Sequence, residues 1–138
     1  MPEATEAGGG HSLRRARYHP AMIHRLTAAP TGAPETYHVA PEKRVSGDPE
    51  QRLWSQYTDA SGKFFAGVWE SAPGAWRIRY TEEEHCRILE GKSRLIAADG
   101  TVTEVVAGDE FVIPRGFEGV WEVVERTRKT YVIYEANP

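Results

Sequence analysis

The chain has 138 residues, 40% of them apolar and 27% charged, and a formal net charge of −3. That is the composition of one soluble globular domain, and its mild acidity speaks against nucleic acid or an anionic membrane as the main partner. No apolar run approaches the ~18 residues that span a bilayer, no secretory h-region opens the chain, and one cysteine, Cys86, cannot form an internal disulfide, which fits a reducing cytoplasm.

Residues 1–35 carry Gly8-Gly9-Gly10 and a basic patch, Arg14-Arg15-Ala16-Arg17, with no sustained apolar period. They read as a flexible arm, the patch being either a solvated tail or a contact for something anionic. Met22 opens the first stretch with apolar character, "MIHRL", and is a candidate natural start. Residues 36–138 read as a single domain. Within 36–50, "TYHVA" alternates well enough for an edge strand.

From residue 52 onward the pattern is short strands separated by turn signals. "FFAGVWES" ends at Pro73-Gly74, and "AWRIRY" follows with strict alternation. "HCRILEG" leads into "SRLIAA", which Asp99-Gly100 joins to "TVTEVV" as a hairpin, the dipeptide favouring the positive φ of tight turns. "GDEFVIPRG" is a strand between glycine turns, and "VWEVV" and "TYVIYE" close the chain. Strands this short, without a long amphipathic helix, predict an all-β antiparallel barrel, a jelly roll in preference to other sandwiches.

Two segments carry a family resemblance. Glu84 with Gly91 seven residues later, within about 74–91, and Gly108-Asp109 with Pro114 and Gly116, within about 108–123, resemble the two sequence motifs of the cupin superfamily. "GVWESAPGAW", "CRILEG", "FVIPRGFEGVWEV" and "RKTYVIYE" are similar to the small cupins related to the cupin part of ureidoglycine aminohydrolase. The resemblance covers roughly residues 45 to 135. It implies a jelly roll of about six to eight strands, usually a homodimer, with a small-molecule pocket inside one end. It leaves the activity open, because cupins include isomerases, oxygenases, decarboxylases, hydrolases and binding proteins.

In metal-binding cupins the first motif supplies two histidines and a glutamate, and the second a further histidine. Alternation in Trp76-Arg77-Ile78-Arg79-Tyr80 puts the apolar side chains on one face and the arginines on the other. Burying the arginine face instead would cost several kcal/mol without matched anions. By the resemblance, the metal slots then hold Ile78, Tyr80, Glu84 and Gly119, with Trp121 next on the face of Gly119. No cofactor is expected, a transition metal being disfavoured. His85 falls on the opposite face from Glu84 and reads as a surface or interface histidine.

Glu84, with Tyr80 as its nearest donor and Lys129 or Arg128 as others, is the candidate acid or base, or else a group that orients an amine- or hydroxyl-bearing ligand. Cys86 shares its face and is either a buried structural thiol or a nucleophile awaiting an activating cation. Trp69, Trp76, Ile78, Phe111 and Trp121 are ligand walls or plain core. Glu82 and Glu83 are expected in a solvated turn, and Trp54 on the outer wall or a subunit contact. Three functions stay open: metal-independent binding of a small polar metabolite, a metal-dependent hydrolase of nitrogen-rich substrates, and a dimeric structural or regulatory barrel.

Overall fold

The computed structural model of the protein describes residues 21–136, most of them in nine β-strands. In chain order these are β1 (Glu35–Tyr37), β2 (Arg44–Ser46), β3 (Gln51–Thr58), β4 (Phe64–Ser71), β5 (Gly74–Arg79), β6 (Glu83–Ala97), β7 (Val102–Val106), β8 (Glu110–Ile113) and β9 (Glu118–Tyr134). The only helical element among the described residues is a 3-10 turn at Pro41–Lys43. No helix there is long and apolar enough to cross a membrane.

Two long strands organise the rest. β6 and β9 pair antiparallel from Glu83–Tyr134 to Ala97–Gly119. The second edge of β6 is taken by β8 near its start and β7 near its end. The second edge of β9 is shared in the same way, β5 pairing with residues 118–123 and β4 with 127–134. The strand order β1-β3-β4-β9-β5-β2, with β6, β7 and β8 beside it, curls into a cupin-type jelly roll. Across the interior, Trp69 of β4 stands 6.1 Å from Trp76 of β5 and 5.3 Å from Trp121 of β9.

A bulge lets both halves bury their apolar faces. Between the Ile88–Lys129 and Ser93–Val123 pairs, β6 advances five positions while β9 advances six. In β6 the buried positions therefore change from even (Glu84, Cys86, Ile88) to odd (Ser93, Leu95), while β9 stays odd from Trp121 to Ile133. Gly91 makes the bend: its φ is +90°, and a Cβ there would collide with the Arg126 carbonyl.

The sequence reading broke β6 and β9 into shorter pieces because it took Gly91 and the charged "ERTRK" stretch for connections. Both lie within continuous strands, Gly91 as a bend in β6 and Glu125–Lys129 as part of β9. The Asp99-Gly100 hairpin is present, but its loop is longer than the two-residue turn expected. Gly100 N–H donates to the Ala97 carbonyl, Thr101 N–H to Asp99 Oδ1, and only Gly100 has positive φ. Of "TYHVA" only Thr36 and Tyr37 lie in an edge strand, β1, which begins at Glu35 and ends before His38.

On the outer face Glu70 accepts from Arg126 at 2.7 Å and Arg128 at 2.9 Å. Arg128 stacks over Trp54 at 4.9 Å, and the Trp54 indole N–H donates to the Gly32 carbonyl. Residues 21–34 have no regular secondary structure and lie along β3, where Thr27 and Gln56 exchange two hydrogen bonds of 2.8 Å. The basic patch at 14–17 is outside the described residues.

Burial alone would raise the Glu70 carboxyl, but hydrogen bonds from Arg126 and Arg128 and their charges hold it below the ordinary value of 4.5. A depressed carboxyl stabilises the fold above its unfolded value, and that contribution is lost as pH falls through the folded value. Glu70→Gln should therefore cost about 1–3 kcal/mol near pH 7 and flatten the acid side of the stability profile. Urea denaturation from pH 7 to pH 3 checks both. A variant that tracks wild type at every pH would show that the cluster contributes nothing.

Candidate functional site

The site begins where β5 leaves the barrel wall. Alternation carries Ile78 and Tyr80 inward, at 3% and 1% exposure, and turns Arg77 and Arg79 out. Tyr80 is clamped by the β8–β9 loop: its N–H donates to the Phe117 carbonyl, and its own carbonyl accepts from Gly116. The chain then turns back into β6, whose first inward residue is Glu84. Tyr80 Oη donates to Glu84 Oε1 at 2.6 Å.

The second carboxylate oxygen of Glu84 faces a cation. Lys129 Nζ donates to Glu84 Oε2 at 2.8 Å and to Cys86 Sγ at 3.5 Å. The same ammonium lies 4.3 Å from the Trp121 ring centroid and 4.8 Å from that of Trp69. Glu84, Cys86 and Lys129 are almost fully buried. The tryptophan N–H groups are anchored as well, Trp69 Nε1 to Gln51 Oε1 and Trp121 Nε1 to Ser93 Oγ, with Ser93 bonded to Thr127.

This geometry fixes protonation states. Burial, reinforced by the Glu84 charge, pushes the Tyr80 phenol far above its ordinary value, so it remains a neutral donor. Burial and Glu84 do the same to the Cys86 thiol, Lys129 offsetting this only in part. Cys86 is therefore a thiol at neutral pH, the wrong state for a nucleophile. Burial works against the Lys129 charge, but Cys86 and Glu84 outweigh it and the value is raised. With Cys86 neutral, Glu84 is the partner that holds the proton on Lys129. An ammonium so held is unsuited to forming a Schiff base.

The donor set does not fit a cupin metal. Ile78 has no donor atom, and Tyr80 spends its hydroxyl proton on Glu84. Gly119 lies directly opposite Ile78, and a Cβ there would strike the Ile96 carbonyl, so the slot admits no side chain. His85 points outward to Glu110 at 3.3 Å, on the other face from Glu84. Among the described residues no group of three or more His, Cys, Asp or Glu could hold a metal ion.

The structure gathers Tyr80, Glu84, Cys86, Lys129, Trp69 and Trp121 around one point. Trp76 and Ile78 belong to the same core, and half-buried Phe111 packs 6.5 Å from Trp121. Of the two candidate cations only Lys129 reaches Glu84, and the solvated turn expected for Glu82 is not found. Arg128 points outward to Glu70, because neighbours on a strand face opposite ways. Glu82 is not solvated: it is fully buried, with its carboxylate turned back to the Thr81 N–H at 3.0 Å. Glu83 is half-buried and accepts from Arg115 N. Sequence reasoning also missed the interior polar residues Gln51, Ser93, Thr127 and Tyr131. The alternation through Lys129 placed Thr127 and Tyr131 inward all along, whereas Gln51 and Ser93 sit where edges and bulges blur the period.

No curated protein matches the chain. Solved structures that share its fold include the following three. A protein of unknown function of the DUF861 family from Pseudomonas syringae pv. tomato aligns at 23% identity and a TM-score of 0.71, over 78% of this chain and 46% of that one. The Clostridium difficile EutQ protein aligns at 21% identity and 0.58, over 64% and 65%. The Cnp3 cupin domain of Schizosaccharomyces pombe aligns at 22% identity and 0.53, over 62% and 61%. The chain thus spans about half the length of the Pseudomonas protein and less than two thirds of the other two. A family model for EutQ-like cupin domains matches residues 58–131, more than half of the sequence and both motif regions, and the chain belongs to that family.

Proposed function

We propose that this cupin binds a small polar molecule inside its barrel without a metal ion. The observation that supports the reading is the Lys129 ammonium, 2.8 Å from Glu84 and between two tryptophan faces. The charge that a metal supplies in other cupins is supplied here by a side chain. Burying an ion pair gives little net stability, since a well-packed apolar filling does as well. A polar interior walled by indole rings does suit a polar guest. Glu84 has both oxygens engaged, so it acts as acid or base only when the guest displaces Tyr80 or Lys129.

The kinship with the cupin part of ureidoglycine aminohydrolase enters this reading as descent of the barrel; its metal-dependent hydrolysis does not, because the donors do not match. We place the protein in the cytoplasm, as its free, buried Cys86 suggests. We pair it as a homodimer, since Phe64, Val112 and Tyr134 leave apolar surface on the outside.

Elemental analysis of purified protein should find no stoichiometric Mn, Fe, Ni or Zn. A thermal-shift screen of chelator-treated protein against amides, ureides, sugars and small carboxylates should find a class that raises the melting temperature, because a ligand that prefers the native state stabilises it. About one metal per chain that is lost in Glu84→Ala, or binding that appears only after metal is added, would overturn the proposal.

The ion pair has its own test. Lys129→Met strands a buried carboxylate and should cost about 3–5 kcal/mol. Adding Glu84→Gln should recover much of that loss, so the double variant is more stable than Lys129→Met alone. Denaturation energies that simply add across the cycle would show the two groups uncoupled.

A further inference from the structure

We infer that the guest is electrically neutral and carries a hydrogen-bond acceptor, and that Gln51 and Tyr131 are the residues that recognise it. The inference rests on the binding role proposed above and narrows its chemistry. Both side chains are 2% exposed. Gln51 Oε1 accepts from Trp69, but Gln51 Nε2 has no partner, and the Tyr131 hydroxyl has only the Ser55 side chain within reach, in a contact too poorly aligned to satisfy it. Buried donors are rarely left unpaired, and each one costs on the order of tenfold in the folding equilibrium.

Glu135 Oε2, just beyond the end of β9, is also buried without a partner, but Gln51 and Tyr131 lie on one wall. The inward residues of β4 run Gly67, Trp69, Ser71; Tyr131 lies opposite Gly67 and Gln51 opposite Ser71. The two unpaired groups therefore bracket the Trp69 indole on one wall, beside the Lys129 ammonium. An amide NH2 can only donate, so the guest must offer an acceptor to Gln51.

Charge decides the rest. Burial and then Glu84 raise the Tyr131 phenol, the Ser55 contact offsets part of this and Glu35 adds to it, so the group stays a neutral O–H. Glu84 and Lys129 already neutralise each other. A charged guest would add an uncompensated charge to a closed interior. An amide, a ureide or a sugar hydroxyl adds none.

Acetamide, acetate and acetamidinium have nearly the same shape and differ in charge. Titrations followed by the NMR signals of the Trp69 and Trp121 indole N–H groups should show saturable shifts with acetamide, and binding at least tenfold weaker for the two ions. Tyr131→Phe, which deletes only that hydroxyl, should fold at least as stably as wild type and bind acetamide at least fivefold more weakly. If acetate or acetamidinium binds as well as acetamide, the barrel still binds small molecules but the charge argument is wrong. If Tyr131→Phe loses tenfold or more in its folding equilibrium and binds acetamide unchanged, the hydroxyl is structural and the inference fails. If none of the three reaches the indole signals, water alone satisfies the wall, and the inference also fails, whatever the wider screen finds.

Discussion

One buried ion pair sets the terms for the interior. Glu84 and Lys129 are each at most 3% exposed, and removing either charge from water costs several kcal/mol even after relaxation. The barrel offsets that cost from several directions. Tyr80 donates to one Glu84 oxygen and Lys129 to the other, while the ammonium lies against the electron-rich faces of Trp69 and Trp121. Ser93, Thr127 and Gln51 then fix the indole N–H groups that position those faces. Each polar group constrains the next, so the aromatic side chains hold set orientations instead of packing as an adaptable core.

The backbone exists in a form that makes this pairing available. Glu84 lies near the start of β6 and Lys129 on β9, and the pairing Cys86–Tyr131 between them sets the offset that lets the lysine reach back. The bulge at Gly91 keeps the apolar face inward in the second half of β6. A slip of one residue would send Glu84 out and His85 in, exchanging a buried carboxylate for an unpaired imidazole. The ion pair and the strand register thus reinforce each other.

Much of this was legible in the sequence. The alternation in Trp76–Tyr80 placed Ile78 and Tyr80 inside, and the spacing of Glu84 and Gly91 located the first motif. Period two likewise separated Glu84 from His85. What local pattern could not supply was partnership across strands. Lys129 and Arg128 are equivalent candidates in sequence, and only the register of β9 against β4 and β6 sends one to Glu84 and the other to Glu70. Glu82 was misread because an acidic residue in a turn is usually solvated, whereas here its carboxylate folds back on the Thr81 amide. β6 was misread because a glycine bend within a strand looks locally like a loop, and β9 because its charged stretch from Glu125 to Lys129 does too.

The most direct test is the state of the Lys129 amine itself. With 15N-labelled lysine, its Nζ resonance at pH 7 should be that of an ammonium with slowly exchanging protons, and Glu84→Gln should shift it strongly. A neutral amine, or a freely exchanging ammonium indifferent to Glu84→Gln, would contradict the account of a barrel whose internal cation is a lysine.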